Sequence, residues 1–347
     1  MNDYIFYVAM VVVQLAYGGS NILIKISLDK GLNKLVFVVY RHLIATLLLG
    51  PIAYVLERNQ RPSLSFSVIS KIFVLSFVRT TVHLNVYYAG LAYTSATVAS
   101  ALSNVSPSLT FLIALLLRME KVNIANMRSQ AKVLGTVVCV GGSLVFTFWK
   151  GGHLLKGFVE KPLINIQAGS VGGFKHTKQD WIKGSALILI SHIAWSGWLI
   201  LQALVSKVYP APLSLTTMIC FFASLQSSLL ALFFGRTPTS WKLEWDVNLL
   251  TVVYSGIVLS ALLYYLQTWC ISYKGPVFAA MFSPLILIFV AISSAIAFAE
   301  RLHLGSLIGA ILIVVGLNFV LWGKRADNNM VVGQSDQIGK DHEFEDS

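Results

Sequence analysis

The sequence predicts an all-α integral membrane protein, with ten transmembrane helices arranged as two inverted five-helix repeats. Three observations carry this. The 347 residues are 56% hydrophobic and only 12% charged, where an ordinary soluble chain is about a quarter charged. The apolar residues gather in ten blocks, each of roughly 20 residues, the length a helix needs to cross a hydrocarbon core about 30 Å thick. Finally, Tyr87-Tyr88 followed by Ser106-Pro107 recurs as Tyr264-Tyr265 followed by Ser283-Pro284, at a constant offset of 177 that also places Ser95 on Ser272. Internal repeats decide architecture, so this one ranks first.

The blocks lie near 4–28, 35–56, 69–92, 96–117 and 131–149, then 182–206, 213–234, 248–271, 277–299 and 304–322. Strand spans would be about ten residues long with alternating polarity, a pattern absent here. The first block starts uncharged and runs through Asn21 and Lys25 without a small-residue cleavage site, so it reads as a retained helix rather than a signal peptide. The expected organisation is a first repeat over 1–149, a central basic loop over 150–181, a second repeat over 182–323 and a disordered acidic tail over 324–347. Five spans per half is an odd number, so the second half must start on the opposite side and run inverted, as in many secondary transporters. Gly135 and Gly142 in the fifth span are echoed by Gly309 and Gly316 in the tenth, both pairs seven apart. Seven residues is two helical turns, so each pair marks a face for close helix packing.

Charge excludes more than it identifies. The net charge is +11, and six Lys/Arg residues fall in or beside the central loop (150, 156, 161, 175, 178, 183). They are interleaved with Gly and apolar residues and match no nucleic-acid fold, so a solvated loop near anionic headgroups is expected, with no nucleic-acid partner. With both termini cytoplasmic, inner segments carry twelve Lys/Arg and outer segments eleven, or five without the central loop. The positive-inside bias then favours cytoplasmic ends. Cys139, Cys220 and Cys270 all lie inside spans, which argues against a disulfide framework and leaves the redox compartment unread. The match Asn104-Val105-Ser106 is inside a span, where glycosylation is not expected. No nucleophile elbow, P-loop or metal-ligand spacing is present, so no catalytic residue, metal or cofactor is expected.

All fifteen Asp and Glu residues lie in loops, tails or span ends. Many ion-coupled carriers keep a carboxylate mid-membrane, so facilitated diffusion, or proton coupling through histidine, is favoured over acid-coupled antiport. What the spans contain is basic or neutral polar. Gln14, Gly18, Asn21 and Lys25 share one face of the first helix. Lys25 either meets an anionic group or snorkels to the headgroups. Arg79, His83 and Tyr87 align along the third span, with Arg79 read as an interfacial anchor and His83 as either a proton relay or a hydrogen-bonded structural histidine. Trp195, Trp198 and Gln202 share a face of the sixth span, and Ser260, Tyr264 and Gln267 a face of the eighth. The tryptophans either wall a cavity or simply pack. Pro107 and Pro284 are expected to kink the fourth and ninth spans at matched positions, which points to a binding site between them. The substrate-binding set is therefore Asn21, Lys25, His83, Tyr87, Trp195, Trp198, Gln202, Tyr264 and Gln267. A ligand with a carboxylate or other anionic group suits them, so amino acids and small organic acids are favoured over sugars or cations.

Several stretches carry a family resemblance: VFVVYRHLIATLLLGPIAYVLER (36–58), YYAGLAYTSATVASALSNVSP (87–107), RMEKV (118–122) and VLGTVVCVGG (133–142). So do YSGIVLSALLYYLQTWCISYKGPVFAAMFSP (254–284) and LHLGSLIGAILIVVGLNFVLWGK (302–324). They resemble the plant drug/metabolite transporter superfamily, in its nodulin-like, walls-are-thin-related group with EamA-type repeats. The resemblance covers nearly the whole chain apart from the central loop and tail. It implies a multi-pass protein of the plasma membrane, or alternatively the vacuolar membrane, that moves amino acids in either direction by alternating access. Some relatives move auxin. Family-like positions are Lys25, Arg41, Tyr87-Tyr88, Trp195, Gln202 and the run Tyr264 to Gln267. Trp198 stands where Phe is usual, and VRTTVHLN (78–85) where many members carry a proline.

The leading expectation is thus an amino-acid facilitator or exporter in a lipid bilayer, with room for a homodimer. The alternatives are an auxin or other organic-acid exporter and, from another class, a non-transporting receptor or scaffold acting through its tail.

Overall fold

In the absence of water, a chain inside lipid must satisfy its own backbone, and helices do so within a single segment. The computed structural model describes residues 4–29, 31–59, 61–93, 102, 105–119, 126–149, 178–234, 241–243, 245–298, 304–305 and 307–323, and the regular structure among them is helical. The central loop through 177 and the tail from 324 lie outside the described residues.

Among the described residues the helices group into ten spans. The first five are Tyr4–Asp29, Lys34–Leu56, the run Phe66–Ser76, Phe77–Leu84 and Asn85–Tyr93, then Ser106–Leu116 and Met127–Phe148. The second five are Lys178–Val208, Pro212–Phe234, the run Val247–Tyr254, Ser255–Leu263 and Tyr264–Lys274, the pair Pro276–Met281 and Leu285–Phe298, and Leu307–Gly323. Six of these are long and apolar enough to cross a membrane as single helices, and four are shorter apolar helices. Polar side chains supply the missing partners at helix starts. Asn33 accepts from Leu35 N, and Asp246 accepts from Asn248 N and Leu249 N. Gly275, at φ 84°, ends the eighth span, and Pro276 opens the next helix directly. The left-handed turn suits glycine, and Pro cannot continue the preceding helix.

The contacts pair up under exchange of the two halves. The first span packs on the ninth, and the sixth on the fourth. The third packs on the sixth, and the eighth on the first; the second packs on the eighth, and the seventh on the third. The second and seventh spans, each 23 residues, pack on one another. The fifth and tenth do the same through the four glycines. A Cβ on Gly135 would fall 2.6 Å from Gly316 O, and one on Gly309 would fall 2.5 Å from the Phe146 Cβ. The glycine faces read from the sequence are therefore packing faces. This is the pattern of inverted repeats, with the second–seventh and fifth–tenth pairs astride the axis.

Two spans contain π-helical turns, Phe77–Leu84 in the third and Ser255–Leu263 in the eighth. They fall at matching positions of the two repeats. Pro107 is the second residue of the helix Ser106–Leu116. Pro284 lies in the turn between Met281 and Leu285, so the ninth span is broken there rather than bent.

Candidate functional site

The site is built on the paired π turns. A π turn widens the helix and displaces carbonyls from their usual partners, and such turns recur at functional sites. In the third span, Asn85 Nδ2 donates to the carbonyls of Thr80 at 3.4 Å and Thr81 at 3.0 Å. Gln226 of the seventh span braces the same turn, accepting from Thr81 Oγ1 at 3.2 Å and donating to Phe73 O at 3.2 Å. Arg79 lies on this turn and is buried.

Arg79 is 5% exposed. Its guanidinium carbon lies 4.0 Å from the centre of the Trp198 ring, 4.0 Å from Tyr264 and 4.7 Å from Trp195. Its Nε and Nη1 are buried without a hydrogen-bond partner. The carboxylates with described side chains, Glu57 and Asp246, cap helices instead. Desolvated cation–π contacts are worth about 2 kcal/mol or more, whereas the penalty of burying an ion is several kcal/mol. Aromatic faces therefore surround the cation but leave Nε and Nη1 unsatisfied. Other buried groups on the packed sixth and eighth spans also lack a partner: Trp198 Nε1, Gln202 Oε1 and Gln267 Oε1. Gln202 Nε2 donates to Thr268 Oγ1 at 3.2 Å, which fixes one amide between the sixth and eighth spans. Tyr17 of the first span lies in range of Arg79, but its hydroxyl makes no well-formed hydrogen bond. Buried polar groups are nearly always paired, so a cluster left open on donors and acceptors alike is suited to a ligand.

A second cation lies beside Tyr264. Arg41, 7% exposed, donates from Nε to Ser260 Oγ at 2.8 Å, and its guanidinium lies 5.9 Å from the Tyr264 ring centre. Two like charges buried near one ring repel, at a cost that a low dielectric raises. An anion between them would remove that cost.

His83 belongs to an adjoining network. Its Nδ1 lies 2.8 Å from Ser191 Oγ and 3.0 Å from Ser191 O, and its ring is 4.9 Å from Trp195 and 6.0 Å from His192. His192 Nδ1 sits 2.9 Å from Ser106 Oγ, beside Pro107, and its ring is 6.0 Å from Tyr87. Ser196 Oγ donates to Ser106 O at 3.2 Å. The opening turn of the fourth span is thereby tied to the sixth.

Of the residues expected at the site, His83, Tyr87, Trp195, Trp198 and Tyr264 come together across the third, sixth and eighth spans, and Gln202 and Gln267 are buried on the sixth and eighth. Asn21 and Lys25 lie on the first helix, and their side chains fall outside the described residues. On the same helix Gln14 is buried, and Gly18 abuts Phe289 at 2.7 Å for an added Cβ. The interfacial reading of Arg79 is corrected: the π turn draws it inward among three rings. His192 and Tyr17 were not singled out in the sequence; Arg41 and Ser260 were, as a family-like position and on the face of Tyr264, but stood outside the binding set. The available signal was the lack of any carboxylate in the spans, which leaves two arginines there without an internal counter-ion.

The EamA-like transporter family model matches residues 5–148 and 182–322. Similar proteins of Arabidopsis thaliana include the WAT1-related proteins At5g07050, 41% identical over 94% of this chain and 82% of its own length, and At2g39510, 41% identical over 92% and 85%. A third, At1g43650, is 41% identical over 93% of this chain and 92% of its own. A solved crystal structure shares the fold with a TM-score of 0.65 at 15% identity, over 92% of this chain and 98% of that one. A duplicated helical frame around an interior cationic site, with relatives this close, has one reading: the chain is a plant member of the EamA-like transporter family, in its WAT1-related group.

Proposed function

We propose that this transporter moves amino acids, as a bidirectional facilitator or exporter, by alternating access around the Arg79 site. The supporting observation is the set of unpartnered buried groups. Arg79 Nε and Nη1 and Trp198 Nε1 are donors for a carboxylate, and Gln202 Oε1 and Gln267 Oε1 are acceptors for an ammonium. A zwitterion satisfies both, whereas an uncharged sugar would leave the guanidinium unneutralised. The site lies where the two repeats meet, the place from which rocking exposes it to either side. The basic residues of the short inner loops support cytoplasmic termini, and the plasma membrane is the proposed location.

Radiolabelled amino-acid efflux from oocytes expressing the full chain tests this. Export of at least one amino acid above uninjected controls is expected. No efflux across a broad panel, with surface expression confirmed, would contradict it. A second reading, export of indole or other aromatic acids, draws on the paired Trp195 and Trp198 rings, 5.0 Å apart. Under the amino-acid reading, indole acids compete poorly against the transported amino acid.

A further inference from the structure

We propose that the site is built for a dianion: one carboxylate at Arg79, a second at Arg41, with the substrate bridging across Tyr264. The class is acidic amino acids and short dicarboxylic acids. This rests on the transport reading above and narrows it.

Tyr264 is the shared wall. The Arg79 guanidinium lies 4.0 Å from its ring centre and that of Arg41 5.9 Å. Both side chains are more than nine-tenths buried. Among the described residues Arg41 donates from Nε to Ser260 Oγ at 2.8 Å. A guanidinium keeps its proton in proteins, so neither residue escapes the cost of burial by neutralising itself. Tyr17, His42 and Cys220 each lie in the field of both arginines, so the two cations address a common interior region. The other titratable groups facing that region are His83 and His192 across Trp195. A monocarboxylate answers one guanidinium and leaves the other buried and uncompensated. A dicarboxylate answers both, and the acceptors Gln202 Oε1 and Gln267 Oε1 remain for an ammonium where one is present.

The matched halves make the asymmetry legible. Arg79 sits on the third-span π turn, and the corresponding turn of the eighth span carries Gly256, where an added Cβ would meet Ile44 Cβ at 2.7 Å and Arg41 O at 3.2 Å. The absent side chain lets the second span approach closely, and Arg41 reaches Ser260 from that span. One repeat thus contributes a cation on its π turn, while the other accommodates a cation from the neighbouring helix.

The test uses the purified full chain in liposomes, with radiolabelled glutamate, aspartate, succinate and glutamine as probes. Glutamate flux should exceed glutamine flux by about tenfold or more, with succinate accepted. Arg41→Gln should lower the glutamate-to-glutamine ratio by at least about tenfold, and Arg41→Lys should retain most of it, because the charge persists without the planar fork. Recovery of Arg41→Lys as folded protein guards against a folding failure read as selectivity. Equal glutamate and glutamine flux in the unmodified protein, or an unchanged ratio in Arg41→Gln, would overturn the dianion site while leaving transport of neutral amino acids standing. Absence of flux for every probe would overturn the dianion site, while the broad efflux panel decides the transport reading.

Discussion

Trp198 gives Arg79 two different things, a π face 4.0 Å from the guanidinium and an indole N–H without a partner. Trp198→Phe keeps the first and removes the second. If the N–H donates to substrate, the variant should weaken the apparent affinity by about tenfold, the worth of one hydrogen bond to a charged group, with little change in maximal flux. An unchanged KM would assign the indole to packing alone. At this scale the sequence was legible where residues shared a helical face, as with Trp195, Trp198 and Gln202. It was illegible where a residue's depth mattered. Arg79 falls only a dozen or so residues into its span, and whether it snorkels or turns inward depends on a π turn that hydrophobic periodicity does not encode.

At the scale of elements, the fifth and tenth spans depend on glycine at four positions. The Cβ of Gly135→Ala would sit 2.6 Å from Gly316 O and 2.8 Å from Val320 N, and backbone cannot give way as a side-chain tip can. The substitution should destabilise the protein by about 1–3 kcal/mol, measured as a lower Tm in detergent. Gly141→Ala is the control, since nothing lies within 4 Å of its added Cβ. Equal Tm shifts for the two would refute close packing at this seam. These glycines were readable in advance because their spacing of seven recurs in both halves. The ninth span was less readable. A single apolar run, 277–299, was expected to bend at Pro284, but the chain ends one helix at Met281 and starts another at Leu285. Composition sees one hydrophobic block and cannot distinguish a bend from a break.

For the molecule as a whole, duplication in the sequence fixes the count of spans and their inversion, but not where the halves are fastened. Glu57, at the end of the second span, accepts from Leu213 N at 2.9 Å and Ser214 N at 2.7 Å, capping the seventh span of the other repeat. A carboxylate on a helix N-terminus is a favourable pairing, and here it joins the two halves at one end. If the halves rock against each other, cross-linking the double variant E57C/S214C should reduce flux by more than about tenfold, and reductant should restore it. Full flux in the cross-linked protein would mean that the second and seventh spans move as one body.

The central claim is that the buried Arg79 guanidinium receives the carboxylate of a transported amino acid. Substrate counterflow in liposomes, comparing the unmodified chain with Arg79→Gln, tests it most directly. Losing a buried charge pair with its hydrogen bonds costs about 3–5 kcal/mol. Flux at low substrate should therefore fall by more than about a hundredfold in folded, correctly inserted protein. Arg79→Gln transporting with the KM and maximal rate of the unmodified chain would contradict the account.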